Sequence, residues 1–306
     1  MRLVQRIENY GGQAVIEGVM MRGREVMATA VRRDDDQIVV DRRPVAPWSK
    51  RYPVLAWPLI RGVVALVDSL AIGVQSLVFS ANVAAADEDV EIKPRDMALS
   101  MILALALALV FFVALPAGII RLVQGAVESN LLLNVLEGLI KVAIFTGYLA
   151  AIGLMPDIRR VFQYHGAEHK VINAFEGGAD LSVEAVRPYS RIHPRCGTSF
   201  IFFVLLVSIF VFSFFGRPPF VQRVLIHIAI LPLVAGLSYE LIRASGRPKP
   251  FFLLRWLAQP GWWLQRLTTR EPDDAQLEVG LRALMEVLPP EARHSYSSRP
   301  KGLHVC

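Results

Sequence analysis

The 306-residue sequence predicts a mainly α, polytopic membrane protein: four transmembrane helices and one interfacial or re-entrant helix, with a small N-terminal β-element and further helices on the cytoplasmic side. Three observations carry that expectation. Hydrophobic residues make up 54% of the chain and charged residues only 20%, with a mean hydropathy of +0.42, a balance that ordinary soluble domains do not reach. The apolar excess is gathered into runs of membrane-spanning length. Lys and Arg are divided unequally between the segments that join those runs.

The first unit, residues 1–52, is read as the β-element. Stretches at 13–20, 26–32 and 37–42, punctuated by Gly11-Gly12, Gly18 and Gly23 and turned at Asp34-Asp35-Asp36, predict about three short strands. So small a sheet needs another element to pack against. Glu17 falls within the first strand and faces either a site or water. Residues 53–86 are long and apolar yet carry Arg61 and Asp68 on one helical face, which predicts a helix lying in the interface or dipping into the bilayer, with those two residues as a buried ion pair. A crossing there would carry the β-element outside, against the charge rule. Residues 87–96 form a charged linker that closes the unit 53–96.

Residues 97–242 make the four-helix membrane domain. The run 97–120 holds 24 residues without a charge, and at about 1.5 Å per residue it exceeds the roughly 30 Å hydrocarbon core. The second span, 131–155, contains Glu137 and Lys141, four apart and able to neutralise each other. The third is 198–215. The fourth, 220–242, has Arg223 near its start, Glu240 near its end, and His227 as a helix-packing residue. The segments before 97, between 155 and 198 and after 242 hold 29 of the 33 basic residues, so both termini are expected in the cytoplasm. That bias and contact with the anionic lipid bilayer account for the net charge of +6, and no specific nucleic-acid recognition is expected.

Beyond the fourth span, residues 243–288 are read as cytoplasmic amphipathic helices. Arg247-Pro248-Lys249-Pro250 breaks the fourth span, 253–267 carries Trp256, Trp262 and Trp263 suited to the headgroup layer, and Pro272-Asp273-Asp274 caps a last helix running to about Leu288. The polar tail 289–306 is expected to be disordered. Cys196 and Cys306 give no disulfide framework, and 1–46 lacks the apolar core of a signal peptide. No internal repeat is visible.

The chemistry concentrates in the connection 156–197. Pro156 starts a helix and Gly177-Gly178 ends it, with Ile158, Phe162, His165, His169, Ile172 and Glu176 advancing by three or four. Within it, His165-Gly166-Ala167-Glu168-His169 forms H-x-x-E-H. Residues four apart share a helix face, so both imidazoles can reach one cation, with Glu168 one residue off that face. The third and fourth ligands are sought first in His193 and Cys196, then in Glu240, a carboxylate costly within an apolar run, and then in Glu176. Zn²⁺ is the cofactor this donor set suits. The bland alternative is a hydrogen-bonded polar cluster that clamps helices together.

Four strings together, Gly11 to Gly23, Tyr164 to Lys170, His193 to Phe200 and Leu267 to Asp274, resemble the YqhQ-like family of bacterial membrane proteins, and the likeness extends from about Gly11 to Leu288. The resemblance implies a metal-dependent enzyme of the bacterial inner membrane without an established substrate. The family's motif residues fall on His165, Glu168, His169, His193 and Cys196.

Two functions follow. One is a membrane-embedded hydrolase in which His165, His169 and His193 or Cys196 hold Zn²⁺ and Glu168 serves as general base on a membrane-associated peptide or lipid-linked group. The other is a non-enzymatic scaffold or biogenesis factor, with all four ligands closing a structural site and the basic face docking a translocon or ribosome; it admits assembly of several copies. A transporter draws little support without discontinuous helices or an inverted repeat.

Overall fold

A computed structural model describes residues 10–45, 52–86, 94–216, 218–246 and 251–289. The N-terminal element is an antiparallel sheet in the order β1 (Gly11–Val15), β2 (Gly18–Arg22), β3 (Val26–Arg32), β4 (Ile38–Pro44). The single strand expected over 13–20 is therefore two strands joined by a two-residue turn at Ile16-Glu17, with Val15 opposite Gly18. The reason is local. Glu17 takes a positive φ of 49°, a left-handed conformation that a non-glycine residue seldom adopts. Arg160 forms a bidentate ion pair with its carboxylate, and the Tyr164 hydroxyl donates to it.

Alternation places the two faces of the sheet in different cores. Val19, Met21, Ala28 and Ala30 pack against the helix that carries H-x-x-E-H and against the last helix. Val15, Met20, Met27 and Val31 pack against Ile72. Two-sided burial is what lets four short strands persist.

Ile72 belongs to α1 (Ile60–Ala84), which follows a short 3₁₀ turn at Pro53–Ala56. At 25 residues it is long and apolar enough to cross a membrane. Its second half nevertheless lies along the sheet, where the Thr29 hydroxyl donates to Ser76 at 3.1 Å and Gly73 abuts Gln13. Val67, Leu70 and Leu77 remain exposed on the other side. Arg61 and Asp68 are not a pair. Seven residues of helix separate them by about 10 Å along the axis, and each finds a nearer partner: Glu240 for Arg61, at 2.7 Å, and Arg22 for Asp68.

Four more helices reach membrane length. The first is α2 (Pro94–Leu109), which passes through a π turn at Val110–Ala114 into α3 (Leu115–Val123); Pro116, with no N–H to give the preceding turn, sits just beyond the irregularity. The others are α4 (Asn130–Ile152), α7 (Gly197–Phe212) and α8 (Phe220–Ser245). Between α4 and α7 come α5 (Pro156–Glu176) and the short α6 (Val183–Val186). After α8 come α9 (Phe252–Thr268) and α10 (Asp274–Val287). Asp273 and Gln276 complete a reciprocal cap on α10, as expected from Pro272-Asp273-Asp274. The linker at 87–93, the break at 247–250 and the tail from 290 onward lie outside the described residues.

Candidate metal centre

The helix α5 has the limits its sequence predicts, with Pro156 in the first turn and Gly177 at its C-terminal cap. His165 and His169 lie one turn apart with their rings edge to face, the centroids 4.4 Å from each other. Each ring is pinned on one side by a backbone carbonyl: His165 Nδ1 lies 2.8 Å from Thr268 O, and His169 Nδ1 lies 2.6 Å from Arg191 O. A carbonyl only accepts, so in the neutral form of each ring Nδ1 carries the proton and Nε2 keeps the lone pair that a metal would need. Cys196 completes the group. It is the N-cap of α7, and its Sγ stands 3.3 Å from His165 Nε2.

The donor atoms of His165, His169 and Cys196 all lie within 4.8 Å of one another. A tetrahedral ion with nitrogen ligands at about 2.0 Å and sulfur at about 2.3 Å sets such atoms roughly 3.5 Å apart, so the set fits a transition metal with small adjustment. The carbonyl anchors are the outer-sphere contacts that metal-ligating histidines use.

Glu168 lies beside this group, with Oε2 3.6 Å from His169 Nε2. It is buried beneath β1: a Cβ on Gly12 would fall 2.7 Å from Glu168 Cγ, so only glycine fits there. Burial pushes the Glu168 carboxyl up, more than His165, His193 and an N–H from Gly12 draw it down. The opposite flank of α5 meets the end of α9 equally closely. A Cβ on Gly166 would stand 2.1 Å from Arg270 O, and Arg270 N–H donates to Phe162 O at 2.8 Å.

The other three predicted ligands, His193, Glu176 and Glu240, are placed differently. The His193 ring is 5.7 Å from that of His169, but its Nε2 turns to Glu176 Oε2 at 3.5 Å, while its Nδ1 accepts from Arg195 N–H. Burial alone would push the Glu176 carboxyl up; the hydrogen bond from His193, with the charge of Arg195, outweighs it and holds the group below the usual carboxylate range. Glu240 stands outside the group, because Arg61 takes both of its oxygens. A guanidinium fork matches a carboxylate bidentately and removes it from contention as a ligand.

Several residues that shape the centre were not singled out from the sequence. Gln265, fully buried, accepts from His193 N–H and donates to His193 O and Ser199 Oγ, each at 2.9 Å, and so holds the 193–196 turn against α7. Asn173 donates to Ser190 O and Ile192 O, fixing the carbonyl-bearing loop. Thr268 supplies the His165 anchor, and its own hydroxyl is buried without a partner, which suits a site where further polar matter is bound. A signal existed in α9. Ala258, Gly261, Leu264, Gln265 and Thr268 recur at helical spacing and are its buried face, whereas Trp256 and Trp263 are exposed on the other.

Membrane-length helices carrying a His–His–Cys group able to hold a metal, capped by a small antiparallel sheet, define a polytopic helical membrane protein with a candidate metal centre. The chain belongs to the family described as "Protein of unknown function (DUF1385)", whose model matches residues 57–290. It is similar to "Uncharacterized protein YqhQ" of Bacillus subtilis (strain 168), with 37% identity over 304 residues, covering 95% of this chain and 96% of that protein. No solved structure matches.

Proposed function

We propose that this protein is a zinc-dependent hydrolase embedded in the bacterial inner membrane, acting at the cytoplasmic edge of the bilayer on a membrane-associated peptide or lipid-linked group. The observation that carries the reading is the inward convergence of two Nε2 lone pairs and one thiol, with Glu168 alongside and no fourth His, Cys, Asp or Glu joining the set among the described residues. Three protein ligands with one side left to water or substrate is the catalytic pattern, whereas structural zinc is closed by four. A bound zinc ion supplies Lewis acidity that makes water nucleophilic near neutral pH. Glu168, whose Oε2 lies 3.6 Å from His169 Nε2, would serve as the general base and then as the acid toward the leaving group.

The competing scaffold reading keeps one supporting feature, since a cysteine ligand is commoner in structural zinc. It requires His193 to leave Glu176 and become the fourth ligand. Elemental mass spectrometry of detergent-purified full-length protein separates the two. About one equivalent of zinc is expected in wild type, His193→Ala and Glu168→Gln, and none in His165→Ala or His169→Ala. Loss of zinc in His193→Ala makes the site structural, and absence of metal from well-folded wild type ends both metal readings. The hydrolase reading further expects Glu168→Gln to lower turnover about 10²–10⁴-fold on any peptide or phospholipid substrate that wild type hydrolyses.

The excess of basic residues beside the metal centre supports an N-in, C-in arrangement, and the packing of α1 on the sheet supports an interfacial position for that helix. In a Cys306→Ser background, Asp35→Cys is then expected to react with a membrane-impermeant maleimide in inverted vesicles and not in intact cells.

A further inference from the structure

The end of the helix bundle remote from the metal centre carries a second group of ionisable side chains. Phe212, which packs within it, lies 16 residues along from Cys196, about 24 Å by helical rise. Glu137 and Lys141 of α4 pair at 2.9 Å. Arg223 of α8 pairs with the other oxygen of Glu137 and reaches Asn134 Oδ1 at 3.3 Å. His227 sets Nε2 3.0 Å from Glu137 Oε1 and Nδ1 2.8 Å from Arg223 O, with its ring stacked 3.7 Å from that of Phe212. Every one of these side chains is buried.

The charges do not balance. One carboxylate faces two cations, and His227, directed at oxygen atoms through both nitrogens, adds no negative charge. An excess positive charge enclosed in helices at membrane depth is costly unless an anion accompanies it. A second observation concerns the donors: Arg223 Nε is buried and has no hydrogen-bond partner. The guanidinium therefore retains a donor that the cluster itself does not use. Arg223 lies in the first turn of α8, where the helix dipole also favours an anion.

We propose that the Glu137, Lys141, Arg223 and His227 cluster binds a phosphate group, held through Arg223 and Lys141. A guanidinium fork suits the oxygens of a phosphate, and Lys141 adds a point charge. The group comes either as inorganic phosphate or as the headgroup of an anionic phospholipid, and the chemistry of recognition is the same.

The test is thermal unfolding of full-length, delipidated protein in a non-ionic detergent at fixed ionic strength. Gluconate serves as the inert anion, and inorganic phosphate and phosphatidylglycerol are titrated separately. A rise in Tm of about 3 °C or more at saturation is expected for wild type. A response to inorganic phosphate identifies the free anion, and a response to phosphatidylglycerol alone identifies the headgroup. Lys141→Met keeps the Glu137–Arg223 pair neutral and is expected to unfold at the same temperature in gluconate and phosphate. Glu137→Gln raises the excess charge and is expected to bind the phosphate group at least about tenfold more tightly. Indifference of wild type to both additives overturns the proposal, as does a response that survives unchanged in Lys141→Met.

Discussion

The two polar clusters of this protein stand at opposite ends of α7, one at its Cys196 cap and the other beside Phe212, and are built on opposite plans. Around His165, His169 and Cys196 the protons point outward to backbone carbonyls and the lone pairs point inward. Around Glu137 the cations and the carboxylate face one another, and protons and lone pairs are nearly all used within the group. The second is wholly buried and the first is buried except at the half-buried His165, and both mix His with charged neighbours. Burial of polar groups at a membrane therefore says little about chemistry until the direction of each donor and acceptor is known. The first cluster could hold a cation, and the second has a cation too many.

The largest expected effect breaks the comparison outright. His165→Ala or His169→Ala abolishes bound metal by elemental analysis, while Lys141→Met and Glu137→Gln leave one equivalent in place; metal following Glu137 instead would reverse the roles of the two clusters. Next is Glu137→Gln, which leaves Arg223 and Lys141 facing each other and is expected to cost about 3–5 kcal/mol in denaturant unfolding without phosphate. Adding Lys141→Met to it should recover part of that loss, and additive losses would show that the charges do not communicate. Gly166→Ala drives a Cβ into Arg270 O, so about 2–3 kcal/mol is expected, together with weaker metal retention as α5 and the Thr268 anchor separate. Unchanged stability and metal content in that variant would detach the anchor from the site.

The smallest effect concerns the support of His193. The Glu176 pKa is lowered in the folded protein, so its contribution is present above the ordinary carboxylate value and lost as pH falls through the lower folded value. Glu176→Gln is expected to cost about 1–2 kcal/mol at pH 7. The wild-type and variant unfolding curves should converge in acid below the usual carboxylate range. A cost that stays constant down to pH 3 would assign the role of Glu176 to packing.

Much of this architecture is legible in the sequence because its signals are local. The uncharged run at 97–120, the Pro156 start and Gly177 stop of α5, and the cap at Asp273 each depend on neighbours a few residues away. The four-residue spacing of His165 and His169 depends on nothing but helical geometry, and the same is true of Glu137 and Lys141. Partners across the chain are another matter. Arg61 and Asp68 share a helix face, yet Glu240 and Arg22 claim them, because an ion pair forms with whatever carboxylate or guanidinium the packing brings nearest.

The hairpin at Glu17 was hidden for the same reason. Its positive φ is sustained by Arg160 and Tyr164, more than 140 residues away. The sequence by itself determined the helices, their caps and the residue types able to bind a metal, all products of short-range sterics and hydrophobic periodicity. Only the tertiary structure decided that Cys196 joins the histidines while His193 turns to Glu176 and Glu240 to Arg61. Ligand selection depends on where lone pairs point, and carbonyls, a buried glutamine and close glycine contacts from distant segments set those directions.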